Sequence, residues 1–348
     1  MRLTRSPAIH LLAALVAACS PPPMPPTASA IAPASITAEP TAAISPSATA
    51  IPLPTFTPDP FARYSIAYLR GQSYGGGTLE ILERVGTNSA FTRYLVKYPS
   101  DGLAIHGFMN VPRGEGPFPV IIALHGYIDP AIYDTLDYTT HYADALSSAG
   151  YLVLHPNLRG FPPSDTGDDL FRVGMAEDVL NLIAIVKDAA GRPGVLEAAD
   201  GNRIGLWGHS MGGGITTRVI TVSQDIRAAV LYAAMSGDEA RNYQAIGQWS
   251  EGQRGADERA VPPQELPSIS PINFLDDITA AVSINHGLED ELVPVQWSMQ
   301  TCELLKAAHK DVECHYYPDL HHTFNGKGDK EFIQYTIQFM NRYLRPAQ

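Results

Sequence analysis

Cysteine is scarce in this chain, three in 348 residues, and so is positive charge: 24 Lys and Arg stand against 36 Asp and Glu, a formal net charge of −12. A surface of that sign excludes nucleic acid as the principal partner, because a phosphate backbone is held by clustered basic side chains. There is no internal repeat. The apolar stretch near the start, about Ala8 to Ala18, is too short to span a bilayer as a helix. Two glycine clusters, Gly75-Gly-Gly77 and Gly326-Lys-Gly328, lack the strand-to-helix setting and the Lys-Ser/Thr pair of a phosphate loop, so they read as turns. The adjacent His321 and His322 are followed by no further ligands at helical spacing. Neither a metal nor an organic cofactor is expected.

What the chain does contain is Gly208-His-Ser-Met-Gly212, directly after a strand-like run from Arg203 to Trp207 and before an apolar helix-like run from about Met211 to Val222. A serine on so sharp a turn is presented to an incoming carbonyl, and small flanking residues let the backbone pass close to its neighbours. Ser210 is therefore the candidate nucleophile. Free N–H groups at the start of the following helix would stabilise negative charge on an acyl oxygen.

A serine hydroxyl needs a base, and the base needs an orienting group. Val282 to Pro294 reads as a buried strand ending in a turn with three acids, of which Asp290 is the expected orienting carboxylate. Glu289 and Glu291 read as surface charges, and Asp238, just after the sixth strand, is the alternative. Cys314 to Phe324 reads as a last strand and a loop, with His322 as the base; His321 is the alternative base, expected instead at the rim. The continuous apolar run from Phe118 is the pattern of a strand buried on both faces, and it ends in His125-Gly126. The N–H of Tyr127 then joins that of Met211 as an oxyanion donor. His125, His209 and His286 read as structural, and Arg159 as the partner of a carboxylate.

From about Tyr94 to Leu344 the chain resembles an α/β-hydrolase, and most of all the catalytic domain of the prolyl oligopeptidase family and its relatives similar to dienelactone hydrolase. The residues that carry the likeness are Ser100-Asp-Gly-Leu103, Val111-Pro112, His125-Gly126, Asn157-Leu-Arg-Gly160, Gly208 to Gly212, His286 to Pro294 and His322-Thr-Phe324. The resemblance implies a mostly parallel sheet covered by helices on both faces, a Ser210–Asp290–His322 triad in that chain order, and no cofactor. Two departures matter. Phe61 to Thr92 is far too short for the β-propeller of full-length members, and position 210 is serine where relatives similar to dienelactone hydrolase use cysteine.

Eight strands are expected, near Leu95, Ile105–Val111, Val120–His125, Leu152–Pro156, Ile204–Trp207, Ala228–Ala233, Ala281–His286 and Glu313–Tyr317. A final helix from about Lys330 to Leu344 should turn Phe332, Ile333, Thr336, Phe339, Met340 and Tyr343 to the core. The long segment 236–271 is expected to form a cap that sets substrate size.

Arg2 and Arg5, the short apolar stretch and Val16-Ala-Ala-Cys19 together read as an export signal over 1–18 that resembles a bacterial lipobox. Lipidated Cys19 would anchor the chain to a membrane. The Pro/Ala/Ser/Thr-rich stretch 19–60 would be a tether, leaving 61–348 as one hydrolase domain. Ordinary signal cleavage, giving a secreted protein, is the alternative. Cys302 and Cys314 remain as an even pair that could form a disulfide. The expected activity is a cell-envelope serine hydrolase acting on a small peptide or an acyl ester. The alternatives are an envelope carboxylesterase and, from another class, a tethered lipoprotein that binds without catalysis.

Overall fold

Alternating burial on the central strands builds the molecule outward from its sheet. In the computed structural model, which describes residues 59–345, Val120, Ile122 and Leu124 point into one apolar layer while Ile121 and Ala123 point into the other. This is the period-2 consequence of a strand covered on both sides. The export signal, Cys19 and nearly all of the tether lie outside the described residues.

Nine strands form one sheet: β1 (Glu80–Thr87), β2 (Phe91–Ser100), β3 (Leu103–Pro112), β4 (Phe118–Leu124), β5 (Leu152–Pro156), β6 (Ala199–His209), β7 (Ile226–Tyr232), β8 (Ala281–Gly287) and β9 (Val312–Tyr317). Their order is β1-β2-β3-β5-β4-β6-β7-β8-β9. The β1–β2, β2–β3 and β3–β5 pairs are antiparallel, and every pair from β5–β4 onward is parallel. The expectation of eight strands misses β1. All eight of its residues are exposed, so it carries no core-facing alternation for a sequence to show, and backbone pairing with β2 along the sheet edge holds it.

The helices are α1 (Ile66–Arg70), α2 (Thr140–Ser148), α3 (Val173–Ala189), α4 (Met211–Val222), α5 (Glu239–Trp249), α6 (Ala256–Ala260), α7 (Leu266–Ile269), α8 (Val295–Ala307) and α9 (Gly326–Leu344). One face of the sheet packs against α3, α4 and α8, through residues such as Ile183, Val219 and Leu305. The opposite face packs against α2 and α9, where Phe332, Thr336, Phe339 and Met340 are buried as their helical spacing requires. That last helix starts at Gly326, so Gly326-Lys-Gly328 is its first turn rather than a free turn. Cys302 on α8 and Cys314 on β9 are joined in a disulfide, with their Cα atoms 6.4 Å apart.

The crossover from β7 to β8 holds the segment 236–271. It contains α5, α6 and α7. Asp238 caps α5 by accepting from the Ala240 N–H at 2.9 Å. Among the described residues no helix is long and apolar enough to cross a membrane.

Candidate active site

Ser210 stands between the end of β6 and the start of α4 with φ 54° and ψ −114°. A non-glycine residue rarely adopts that conformation, and it persists only where the surroundings force it. Here they do. A Cβ at Gly208 would lie 2.3 Å from the Gly212 carbonyl oxygen, and one at Gly212 would lie 2.4 Å from that of Leu124. Only glycine lets the strand, the turn and α4 close up this tightly. The Ser210 N–H donates to Tyr232 O, and the Ser210 carbonyl accepts from Gly214 and Met235, so the turn is tied to β7 as well as to its own helix.

Parallel pairing places the carboxyl ends of β8 and β9 on the same edge of the sheet as this turn. Beyond β8, Asp290 Oδ1 accepts the N–H groups of Leu292 at 2.9 Å and Val293 at 2.8 Å. Its Oδ2 lies 2.8 Å from His322 Nδ1 and 2.9 Å from His286 Nε2. Burial works to raise this carboxyl, but the hydrogen bonds from His286 and His322 outweigh it and hold the group well below the usual carboxylate range. An imidazole that gives its Nδ1 proton to a fixed carboxylate keeps Nε2 free to take another. His322 and Ser210 line the same cavity. Among the described residues Ser210 Oγ has no hydrogen-bond partner; such contacts often tighten only when substrate is bound.

The alternatives separate cleanly. Asp238 is spent on capping α5 and on an ion pair with Arg241 at 3.4 Å. His321 is exposed and pairs with Glu291 at 3.2 Å at the rim. His209 is buried beneath the site between Tyr138 Oη and the His322 carbonyl, which lies 2.9 Å from its Nε2. Burial, with His322 alongside, pushes His209 down to about 3, so it serves as a neutral prop. Tyr232 Oη accepts from the Phe324 N–H and so ties the His322 loop to β7.

His286 takes a larger part than a structural histidine beneath the site. Its Nδ1 is 2.7 Å from Ser298 Oγ, so the Ser298 hydroxyl can donate to it while Nε2–H serves Asp290 and the Val293 carbonyl. The motif His286 to Pro294 contained the residue, but only the fold shows that its ring turns back onto the carboxylate four residues on.

Tyr127 follows β4 and lines the cavity with Met211. A Cβ at Gly126 would sit 3.2 Å from that of Ser210, which places this loop against the turn. His125 Nδ1 lies 2.7 Å from the Gly126 carbonyl. With the proton on Nδ1 that carbonyl is held, and because carbonyl and N–H of a trans peptide point in opposite directions, the Tyr127 N–H is turned away from His125. Among the described residues the N–H groups of Tyr127 and Met211 have no acceptor.

The cavity has a volume of about 870 Å³, within the range that accommodates a drug-sized molecule. Phe161, Met175 and Met235 line it from the core side, and Ile246, Trp249 and Arg254 from the segment 236–271. Its wall also carries charge. Arg159 is held by Asp178 at 2.8 Å and Asp101 at 2.9 Å, the carboxylate partnership expected of it. Burial pushes the Asp169 carboxyl up to about 7. Phe171 and Arg172 are both left-handed, at φ 56° and 59°, and Arg172 is clamped by Glu239 of α5, which also pairs with Arg218 of α4.

A strained serine at a strand-to-helix turn, at the carboxyl ends of a mostly parallel sheet covered on both faces, makes this protein an α/β-hydrolase. More particularly, the model of the prolyl oligopeptidase family matches residues 136–347, and the chain belongs to that family and is a serine hydrolase. It is 26% identical over 252 residues to a Bacillus subtilis protein named as the uncharacterized peptidase YtmA, covering 71% of this chain and 92% of that one. The fold is also similar to Pyrococcus horikoshii acylaminoacyl peptidase, at a TM-score of 0.62 and 22% identity over 74% of this chain, although it spans only 43% of that larger chain. Acetyl xylan esterase 1 from Thermoanaerobacterium is matched at a TM-score of 0.58 and 20% identity over 83% of this chain and 95% of that one. At these identities the two structural likenesses are likenesses of fold.

Proposed function

We propose that this protein hydrolyses peptide or ester bonds through a Ser210–His322–Asp290 triad. The observation that carries this is the His322 Nδ1 to Asp290 Oδ2 contact of 2.8 Å on the wall of the cavity that Ser210 enters with a left-handed backbone. Ser210 Oγ attacks the carbonyl carbon while His322 Nε2 takes its proton. The oxyanion forms between the Tyr127 and Met211 N–H groups. His322 then returns the proton to the leaving amine or alcohol, and water repeats the sequence on the acyl-enzyme. Asp290 holds the imidazole in the Nδ1–H tautomer throughout. Ser210→Ala is expected to lower kcat by about 10⁶-fold while leaving thermal unfolding unchanged; comparable turnover by this variant would place the nucleophile elsewhere.

The segment 236–271 acts as the cap that selects substrates by size; the support is that its Ile246, Trp249 and Arg254 line the same cavity as Ser210. The family likeness favours a peptidase and the fold shared with an acetyl xylan esterase allows an esterase. Matched acyl esters and short peptidyl anilides distinguish them. Amide turnover comparable to ester turnover means a peptidase, whereas ester turnover alone means a carboxylesterase.

The chain works at the cell envelope, exported and lipidated on Cys19. The support is the Val16-Ala-Ala-Cys19 sequence behind a short apolar stretch. Metabolic labelling with an alkyne fatty acid should mark the protein and fail on Cys19→Ala; equal labelling of both would remove the anchor from this position.

A further inference from the structure

Three arginines line the cavity, and their partners set them apart. Arg159 is neutralised by Asp178 and Asp101. Arg172 is paired with Glu239, and Glu258 stands 3.7 Å from it. Arg254, on the turn between α5 and α6, has no ion pair and no side-chain hydrogen bond among the described residues. Instead its guanidinium carbon lies 3.7 Å from the centre of the Tyr127 ring. The ring is itself steadied edge-on by Phe161 at 6.1 Å, and the Arg254 N–H is anchored on Ser250 Oγ at 3.0 Å.

An arginine stacked this way is fixed in place while its N–H edge stays free. The aromatic face attracts the cation without occupying its donors, which remain available for two parallel bonds to a carboxylate. Tyr127 is also the residue whose backbone N–H faces the developing oxyanion in the reading above. The free guanidinium is therefore held on the wall of the cavity that Ser210 lines. Among the described residues two carboxyls on the cavity wall, Asp169 and Asp257, also have no ion pair, but Asp169 accepts the Met175 N–H at 3.0 Å and neither is paired with Arg254.

Resting on the hydrolase reading of this site, we infer that Arg254 recognises a carboxylate on the substrate, so that the preferred peptides or esters carry a negative charge that reaches the Tyr127 wall of the cavity. An anionic substrate would also have to approach a chain of net charge −12. Among the described residues Arg254 is the one arginine of the cavity wall without an ion pair, and it supplies a local attraction there.

The test uses two matched charged and neutral pairs, one for each side of the scissile bond. p-Nitrophenyl hydrogen suberate is compared with p-nitrophenyl octanoate, and 4-hexanoyloxybenzoate with 4-hexanoyloxybenzamide. In at least one pair the anionic member should show the higher kcat/KM, and Arg254→Gln should lower that value about ten- to hundredfold more than it lowers the value for the neutral member. Arg254→Lys should keep part of the preference, and added salt should erode it in the wild type. No preference in either pair, or an equal fall for both members in Arg254→Gln, would overturn the proposal. Ser210→Ala is run alongside: full turnover by that variant would sink the underlying triad, whereas its inactivity with no charge preference would sink the role of Arg254 alone.

Discussion

Asp290 gathers donors from two histidines and two backbone N–H groups on one carboxylate. Its folded-state pKa is depressed, so ionisation stabilises the fold above the unfolded value of about 4. That contribution is lost as pH falls through the folded value. Asp290→Asn should melt below the wild type at neutral pH, with the gap narrowing as thermal scans move from about pH 5 to about pH 3. A constant gap would trace the loss to packing instead. The same variant should lose about 10⁴-fold in kcat, because an amide no longer enforces the Nδ1–H tautomer of His322. Ser210, Asp290 and His322 were legible in the sequence because each stands in a short motif whose neighbours have their own steric reasons. The second donor from His286 was not, since its partner depends on how the loop after β8 turns back.

Among elements, α5 is fastened to the core by charge. Glu239 sits between Arg172, next to α3, and Arg218 of α4, and all three side chains are almost entirely buried. Removing a partner from such a group leaves a guanidinium without compensation, which costs far more than losing an exposed pair. Glu239→Gln should destabilise the protein by about 3 kcal/mol or more, measured by urea unfolding; a loss of a few tenths would mean that water replaces the carboxylate. The segment holding α5 to α7 was legible as a long insertion, but its helices were not. They are short, and their packing partners come from Leu69, Phe171 and Val173, far away in the chain. β1 was missed for the related reason that nothing on it is buried.

For the whole molecule, the disulfide between α8 and β9 closes a short loop at the edge of the sheet, and neither cysteine lines the cavity. With 12 residues of separation, loop-closure entropy gives about 3 kcal/mol. The double variant Cys302→Ala/Cys314→Ala should lose about that much in urea unfolding while turning over a neutral ester at the wild-type rate. A parallel loss of turnover would instead couple α8 to the Asp290 loop that precedes it.

The sequence by itself determined the sheet and its serine turn, because strand burial has a period of two residues and such a turn needs its glycines within two positions. The disulfide, the helices of the segment 236–271, the second histidine on Asp290 and the stacking of Arg254 on Tyr127 were decided only by the tertiary structure. Each depends on residues that separate strands or helices bring together, and no local spacing records where those elements will meet.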